Sequence, residues 1–111
     1  MKTSTLGGTK MFNALIVCSG GMSSAIVVNA IKSEAQKQNI EINVKSIGTG
    51  EFKSEIKNNW DLILVAPQIR HRFDDLELQA KEMQISIELI LPQNYSPLGG
   101  TNLIEQIKKH M

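Results

Sequence analysis

Phe12-Asn13-Ala14-Leu15-Ile16-Val17-Cys18-Ser19-Gly20-Gly21-Met22-Ser23-Ser24 decides the fold of this chain. Phe12 to Val17 is short and mostly apolar, as suits a parallel strand buried on both faces. Ser19-Gly20-Gly21 breaks the run just after Cys18. From about Met22 to Lys37 the spacing becomes helical, with Ala25, Val28, Ala30, Ile31 and Ala35 on one face and Lys32, Glu34 and Lys37 on the other. Strand, tight glycine turn and helix in immediate succession form the opening half of a βαβ unit.

Working outward, the same alternation continues. Glu41 to Ile47 alternates polar and apolar, the pattern of an edge strand on which Ile42, Val44 and Ile47 nearly share a face. Gly48-Thr49-Gly50 reads as a turn and Glu51 to Asn58 as a short polar helix anchored by Phe52 and Ile56. Asp61 to Ala66 (DLILVA) is the clearest buried strand, ended by Pro67. Asp74 to Gln84 is helical, offering Leu76, Leu78, Ala80 and Met83 for packing. Ile87 to Leu91 is the last strand, Pro92 to Gly100 a loop, and Thr101 caps a final helix to about His110 with Leu103, Ile104 and Ile107 on one face. The order βαβαβαβα predicts one α/β domain of three layers: a four-stranded parallel sheet, order 2-1-3-4, with helices on both faces.

Whole-chain properties agree with one domain. At 111 residues the chain can bury a core without staples. Its net charge of +1, from 12 basic and 11 acidic side chains, gives no reason to expect nucleic acid or an anionic membrane as partner. One cysteine cannot form an intramolecular disulfide, so a disulfide-scaffold protein is excluded and a reducing cytoplasm fits. No apolar stretch approaches the ~20 residues of a membrane span. Met1 to Lys10 (MKTSTLGGTK) lacks the apolar core of a signal peptide and reads as a flexible tail, with the domain from Met11 to Met111.

In an open parallel sheet, ligands sit beyond the carboxyl ends of the strands. Cys18 falls there, and so does Pro67-Gln68-Ile69-Arg70; with order 2-1-3-4 these two loops are neighbours. Around Cys18, glycines let the backbone turn tightly and bring its amides toward a ligand. Consecutive amides make an anion nest, and the start of the following helix adds positive potential. The hydroxyls of Ser19, Ser23 and Ser24 can donate as well. Such a field favours a cysteine thiolate and would also stabilise negative oxygens on a group attached to sulfur. A phosphoryl group has that charge and shape. A cysteine at the end of a buried strand also has a plain reading as a small hydrophobe. The residues alone leave three functions open: phosphoryl transfer, a cysteine phosphatase or arsenate-reductase-like activity, and a non-catalytic anion-binding or thiol-redox module.

Val17-Cys18-Ser19-Gly20-Gly21-Met22-Ser23-Ser24 resembles the V-C-A-A-G-M-S-(S/T)-S loop of the enzyme IIB component of the lactose/cellobiose class of the bacterial phosphoenolpyruvate-dependent sugar phosphotransferase system. Val65-Ala66-Pro67-Gln68-Ile69-Arg70 is similar to that family's (L/G)-x-P-Q-(V/I)-R segment after the third strand. The resemblance covers about residues 12 to 107. The family's two alanines are Ser19 and Gly20 here, still small. Tyr95 to Gly100 follows the family's Y-G-x-x-x-G loop only loosely.

The resemblance implies a cytoplasmic phosphoryl relay. Cys18 would accept a phosphoryl group from a phosphohistidine of enzyme IIA and pass it to a β-glucoside-type disaccharide held by the membrane permease, enzyme IIC. Ser19, Gly20, Gly21, Met22, Ser23 and Ser24 would hold the phosphoryl oxygens. Pro67 and Gln68 would shape the second loop, and Arg70 would face the phosphoryl group or an acidic rim on a partner. No metal or cofactor is called for, and His71 and His110 lie in no ligand pattern. The low-molecular-weight cysteine phosphatases place arginine six residues after cysteine and use an Asp-Pro general acid. Here the sixth position is Ser24, and Asp74-Asp75 sits at a helix start where acidic residues complement the dipole. A redox module would want a resolving cysteine, and the chain has one cysteine in all.

Overall fold

A computed structural model describes residues 11–19 and 24–111. The readings for Met1–Lys10 and for Gly20, Gly21, Met22 and Ser23 lie outside the described residues.

Four parallel strands form one sheet in the order β2-β1-β3-β4: β1 Phe12–Cys18, β2 Ile42–Gly48, β3 Leu62–Val65 and β4 Ser86–Leu89. The order is the one expected, with β2 at an edge. β1 is central, and its Ala14, Leu15, Ile16 and Val17 lie beside β2 and β3 at once, Val17 opposite both Ile47 and Val65. These four residues and all of β3 are fully buried, as strands covered by helices on both faces require. At the amino end the register is pinned by Asp61. Its amide donates to the Asn13 carbonyl and its carboxylate accepts from the Asn13 amide, both at 2.8 Å.

Helices cover both faces: α1 Ser24–Lys37, α2 Phe52–Glu55, α3 Phe73–Glu82 and α4 Gly100–Lys108. One core, centred on Leu15, Val17, Ile63 and Val65, is closed by Phe52, Ile56 and Trp60 and by Leu76 and Ala80 of α3. The other, centred on Ile16, Leu62 and Leu64, is closed by Val27, Val28 and Ile31 of α1 and by Leu103, Ile104 and Ile107 of α4. Each buried aliphatic side chain contributes about 1.5–3 kcal/mol of transfer free energy. Trp60 is buried, and its indole N–H donates to the Glu55 carbonyl at 2.9 Å, which satisfies the one polar atom it carries inward.

α1 and α3 stop in the same way. Asn39 and Gln84 take left-handed φ values of 57° and 59°. The next amide, of Ile40 or Ile85, reaches back to the carbonyl of Ala35 or Ala80 at 2.8 and 2.9 Å. This backbone closure satisfies end carbonyls of each helix and tucks an isoleucine against the core.

Several expectations need correction. Leu78 and Met83 are exposed, because the buried stripe of α3 holds only Leu76 and Ala80, with Phe73 partly buried. On α1 the buried stripe is Val27, Val28, Ile31 and Ala35, whereas Ala25 is exposed and Ala30 half-buried. Ile47 does not share a face with Ile42 and Val44: it packs in the α2–α3 core, they in the α1–α4 core. Thr101 is not the cap of α4; the helix starts one residue earlier, at Gly100, with Gly99 as the N-cap. A Cβ on Gly100 would lie 2.5 Å from the Ala30 carbonyl oxygen, so α1 and α4 meet here closer than any side chain allows. Gly48 ends β2 rather than starting a turn, and Thr49–Glu51 and Pro67–Arg72 are 3-10 turns. His110, which the sequence leaves without a partner, contacts a Glu88 carboxylate oxygen through its Nε2.

Candidate functional site at the carboxyl end of β1

Cys18 is the last residue of β1 and is 2% exposed. Its backbone is flanked on both sides. Toward β2 it lies opposite Gly48, where a Cβ would stand 3.4 Å from the Ser19 carbonyl oxygen and 3.8 Å from that of Cys18. Toward β3 the Ala66 amide donates to the Val17 carbonyl at 2.9 Å, one residue beyond the last paired position of the two strands. The two sequence motifs are thus joined through the backbone, as the order 2-1-3-4 requires. Ser19 is exposed and follows directly. Ser24 is the first residue of α1, so the amino end of a helix of 14 residues begins six positions after Cys18.

The second loop is two short 3-10 turns joined at Ile69, whose φ of −116° and ψ of 27° are not helical. Pro67 is buried and starts the first turn, where its fixed φ fits and its lack of an N–H has no consequence. Gln68 and Arg70 are exposed. The Arg70 guanidinium donates from Nη1 to the Pro67 carbonyl at 3.1 Å and so spans its own loop. Between them Ile69 is 4% exposed, its amide bonded to the Ala66 carbonyl at 3.1 Å. It belongs to the same core as Cys18 and Ala66. Ile69 carries no chemistry that marks it in the sequence; its one signal there is an apolar side chain between the polar residues of P-Q-x-R.

Other polar groups lie elsewhere. His71 is exposed on the second loop, and Asp74 and Asp75 sit in the first turn of α3, Asp75 paired with Arg72 at 3.6 Å. Among the described residues no three His, Cys, Asp or Glu side chains come together as metal ligands, and no helix is long and apolar enough to cross a membrane. Among the described residues, the arrangement places Cys18 at a strand end beside the start of the second loop and six positions before the start of α1.

A family described as "PTS system, Lactose/Cellobiose specific IIB subunit" matches residues 13–106, which include both loops. The chain belongs to this family. It is a IIB component of the phosphotransferase system, a phosphocarrier with phosphoryl-transfer activity. Among related proteins it is 28% identical over 96 residues to the oligo-beta-mannoside-specific EIIB component of Bacillus subtilis, covering 86% of this chain and 92% of that protein. It is 30% identical over 79 residues to the lactose-specific EIICB component of Lactococcus lactis, 71% of this chain but only 14% of the length of that protein. The solution structure of the cellobiose-specific IIB component of Borrelia burgdorferi superposes with a TM-score of 0.74 at 30% identity, covering 93% and 94% of the two chains. The lactose-specific IIB domain of Streptococcus pneumoniae has the same fold, with a TM-score of 0.76 at 24% identity over 91% and 98% of the two chains.

Proposed function

We propose that Cys18 is the residue that carries the phosphoryl group in this IIB component. The thiolate attacks the phosphorus of a phosphohistidine on enzyme IIA in line, an S–P bond forms, and the N–P bond breaks as the imidazole leaves. In the second half, a hydroxyl of a disaccharide held by enzyme IIC attacks the same phosphorus. The O–P bond forms, the S–P bond breaks, the thiolate is restored, and the hydroxyl proton goes to the permease or to water. Transfer of this kind is mostly positioning and charge stabilisation. Ser19, Gly20, Gly21, Met22, Ser23 and Ser24 supply amides and hydroxyls to the phosphoryl oxygens, and the start of α1 adds a favourable field. Pro67 and Gln68 hold the second loop, and Arg70 presents a cation to the phosphoryl group or to enzyme IIA.

The observation that carries this reading is the place of Cys18: the end of the central strand, where a parallel sheet gathers its loops, tied to the second motif by the Ala66–Val17 hydrogen bond of 2.9 Å. The names of the relatives, specific for lactose, oligo-beta-mannosides and cellobiose, support a β-linked disaccharide as the acceptor's class. The work of the relay then lies in the cytoplasm, at the inner face of the permease.

Incubation with phosphoenolpyruvate, the general phosphotransferase proteins and a cognate enzyme IIA tests the reading by intact mass. Gain of one phosphoryl group, discharged on adding permease membranes and sugar, is the expected result. No gain with any cognate IIA, or steady phosphate release from an aryl phosphate, would overturn it.

A further inference from the structure

We infer that Ile69 is a positioning residue for phosphoryl transfer, seating the Cys18 end of β1 from below. The inference rests on Cys18 being the phosphoryl acceptor.

Ile69 is the one apolar side chain in Gln68–Arg72, and it is buried while Gln68 and Arg70 on either side are exposed. A regular 3-10 run from Pro67 to Arg72 is interrupted at this residue alone. Its backbone is chained to the strand end. The Val17 carbonyl accepts from the Ala66 amide at 2.9 Å, and the Ala66 carbonyl accepts from the Ile69 amide at 3.1 Å. Its side chain enters the core that holds Cys18, Val17, Ala66 and Val65. Arg70, next in the chain, donates to the Pro67 carbonyl at 3.1 Å and so ties the loop to itself around Ile69 in sequence. Ile69 thus lies within a compact unit of backbone bonds and packing that ends at the sulfur-bearing residue. A relay needs this more than most enzymes do. The same sulfur must meet phosphorus in line from two different partners, and a misplacement near 1 Å can cost up to about a hundredfold in rate. Close-packed interiors transmit such shifts because they have few voids to absorb them.

The test uses the full chain with Ile69→Ala, Ile69→Val and, as a control, Leu76→Ala. Leu76 is equally buried in the same core but belongs to α3. Three quantities are measured well below the unfolding temperature: the single-turnover rate of phosphoryl transfer at saturating enzyme IIA, the IIA concentration giving half that rate, and the rate of Cys18 alkylation. Ile69→Ala should slow saturated transfer roughly tenfold or more, leave the half-saturating concentration unchanged and raise alkylation. Ile69→Val should recover most of the rate. Leu76→Ala should lose stability yet keep both rates near those of the unsubstituted protein. If Ile69→Ala and Leu76→Ala slow transfer equally, or if neither Ile69 variant alters it, the inference is wrong. Should Ile69→Ala fail to fold, Ile69→Val decides, with a smaller loss expected in the same quantity. Failure of the unsubstituted protein to take up phosphoryl at all is a separate result that overturns the Cys18 reading. The alkylation rates, which need neither partner nor phosphate, then still decide whether Ile69 seats the thiol.

Discussion

The Ala66 amide donates to the Val17 carbonyl at 2.9 Å, one step past the last paired residues of β1 and β3. This bond puts the residue before Cys18 and the residue before Pro67 side by side. Strand order thus brings together the starts of two motifs separated by nearly half the chain, which the proposed relay uses on one phosphoryl group.

Arg70 bridges its own loop and is exposed; in the proposed relay its charge meets the anion that approaches Cys18. Arg70→Gln should therefore raise the enzyme IIA concentration needed for half-maximal transfer by several-fold at low salt. The difference should shrink at high salt, since exposed charges are screened within a Debye length of about 8–10 Å at ordinary ionic strength. The lost bond to a neutral carbonyl should cost about 1 kcal/mol or less. Transfer kinetics at two ionic strengths, with urea unfolding alongside, check both halves.

Gly100 tests the seam between α1 and α4. A methyl group there would lie 2.5 Å from the Ala30 carbonyl oxygen and 3.1 Å from its carbon, both backbone atoms that cannot swing aside. Gly100→Ala should destabilise the fold by about 1–3 kcal/mol through overpacking, despite the better helix propensity of alanine. Urea unfolding measures this directly. An unchanged or increased stability would mean that the seam can open at little cost.

Glu88 gives the stability a defined pH dependence. Partial burial acts to raise its pKa, but hydrogen bonds from His110 and Gln106, with the charges of His110 and Lys109, outweigh burial and hold it below its ordinary value of 4.5. Gln106 donates to one carboxylate oxygen at 2.7 Å, and the His110 ring meets the other, so the ionised form clamps the end of α4 onto β4. A lowered folded-state pKa contributes stability above the unfolded value, and that contribution is lost as pH falls through the folded one. Unfolding free energy should thus fall more steeply in the acid range for the unsubstituted protein than for Glu88→Gln. Parallel curves for the two would contradict the clamp.

Most of the architecture was legible in the chain because it rests on local composition. FNALIV and DLILVA are apolar enough to be buried on both faces, and their helical connections leave a parallel sheet as the outcome. What escaped the sequence depends on tertiary contact. α1 ends at Lys37 as its spacing predicted, whereas α3 ends at Glu82, two residues short of the expected Gln84; both close on a left-handed residue that is not glycine, Asn39 and Gln84. α4 starts at Gly100, whose close approach to Ala30 no local pattern records. Ile47, by contrast, is an odd number of positions from Ile42 and Val44, so strand alternation itself puts it on the other face. At the site, Cys18 and the Pro67–Arg70 loop stood out for their chemistry. Ile69 did not, because its contribution is burial and becomes visible only when the loop is folded.

The claim that matters most is that sulfur, and not a histidine or a serine, carries the phosphoryl group. The direct measurement is the site of modification. The protein is charged through enzyme IIA, digested under conditions that preserve thiophosphate bonds, and its peptides are sequenced by mass spectrometry. The expected result is a single phosphoryl group on the peptide containing Cys18, attached at its sulfur, and none on a folded Cys18→Ser protein. A phosphoryl group found on His71, His110 or any serine, or retained in full by Cys18→Ser, would contradict it.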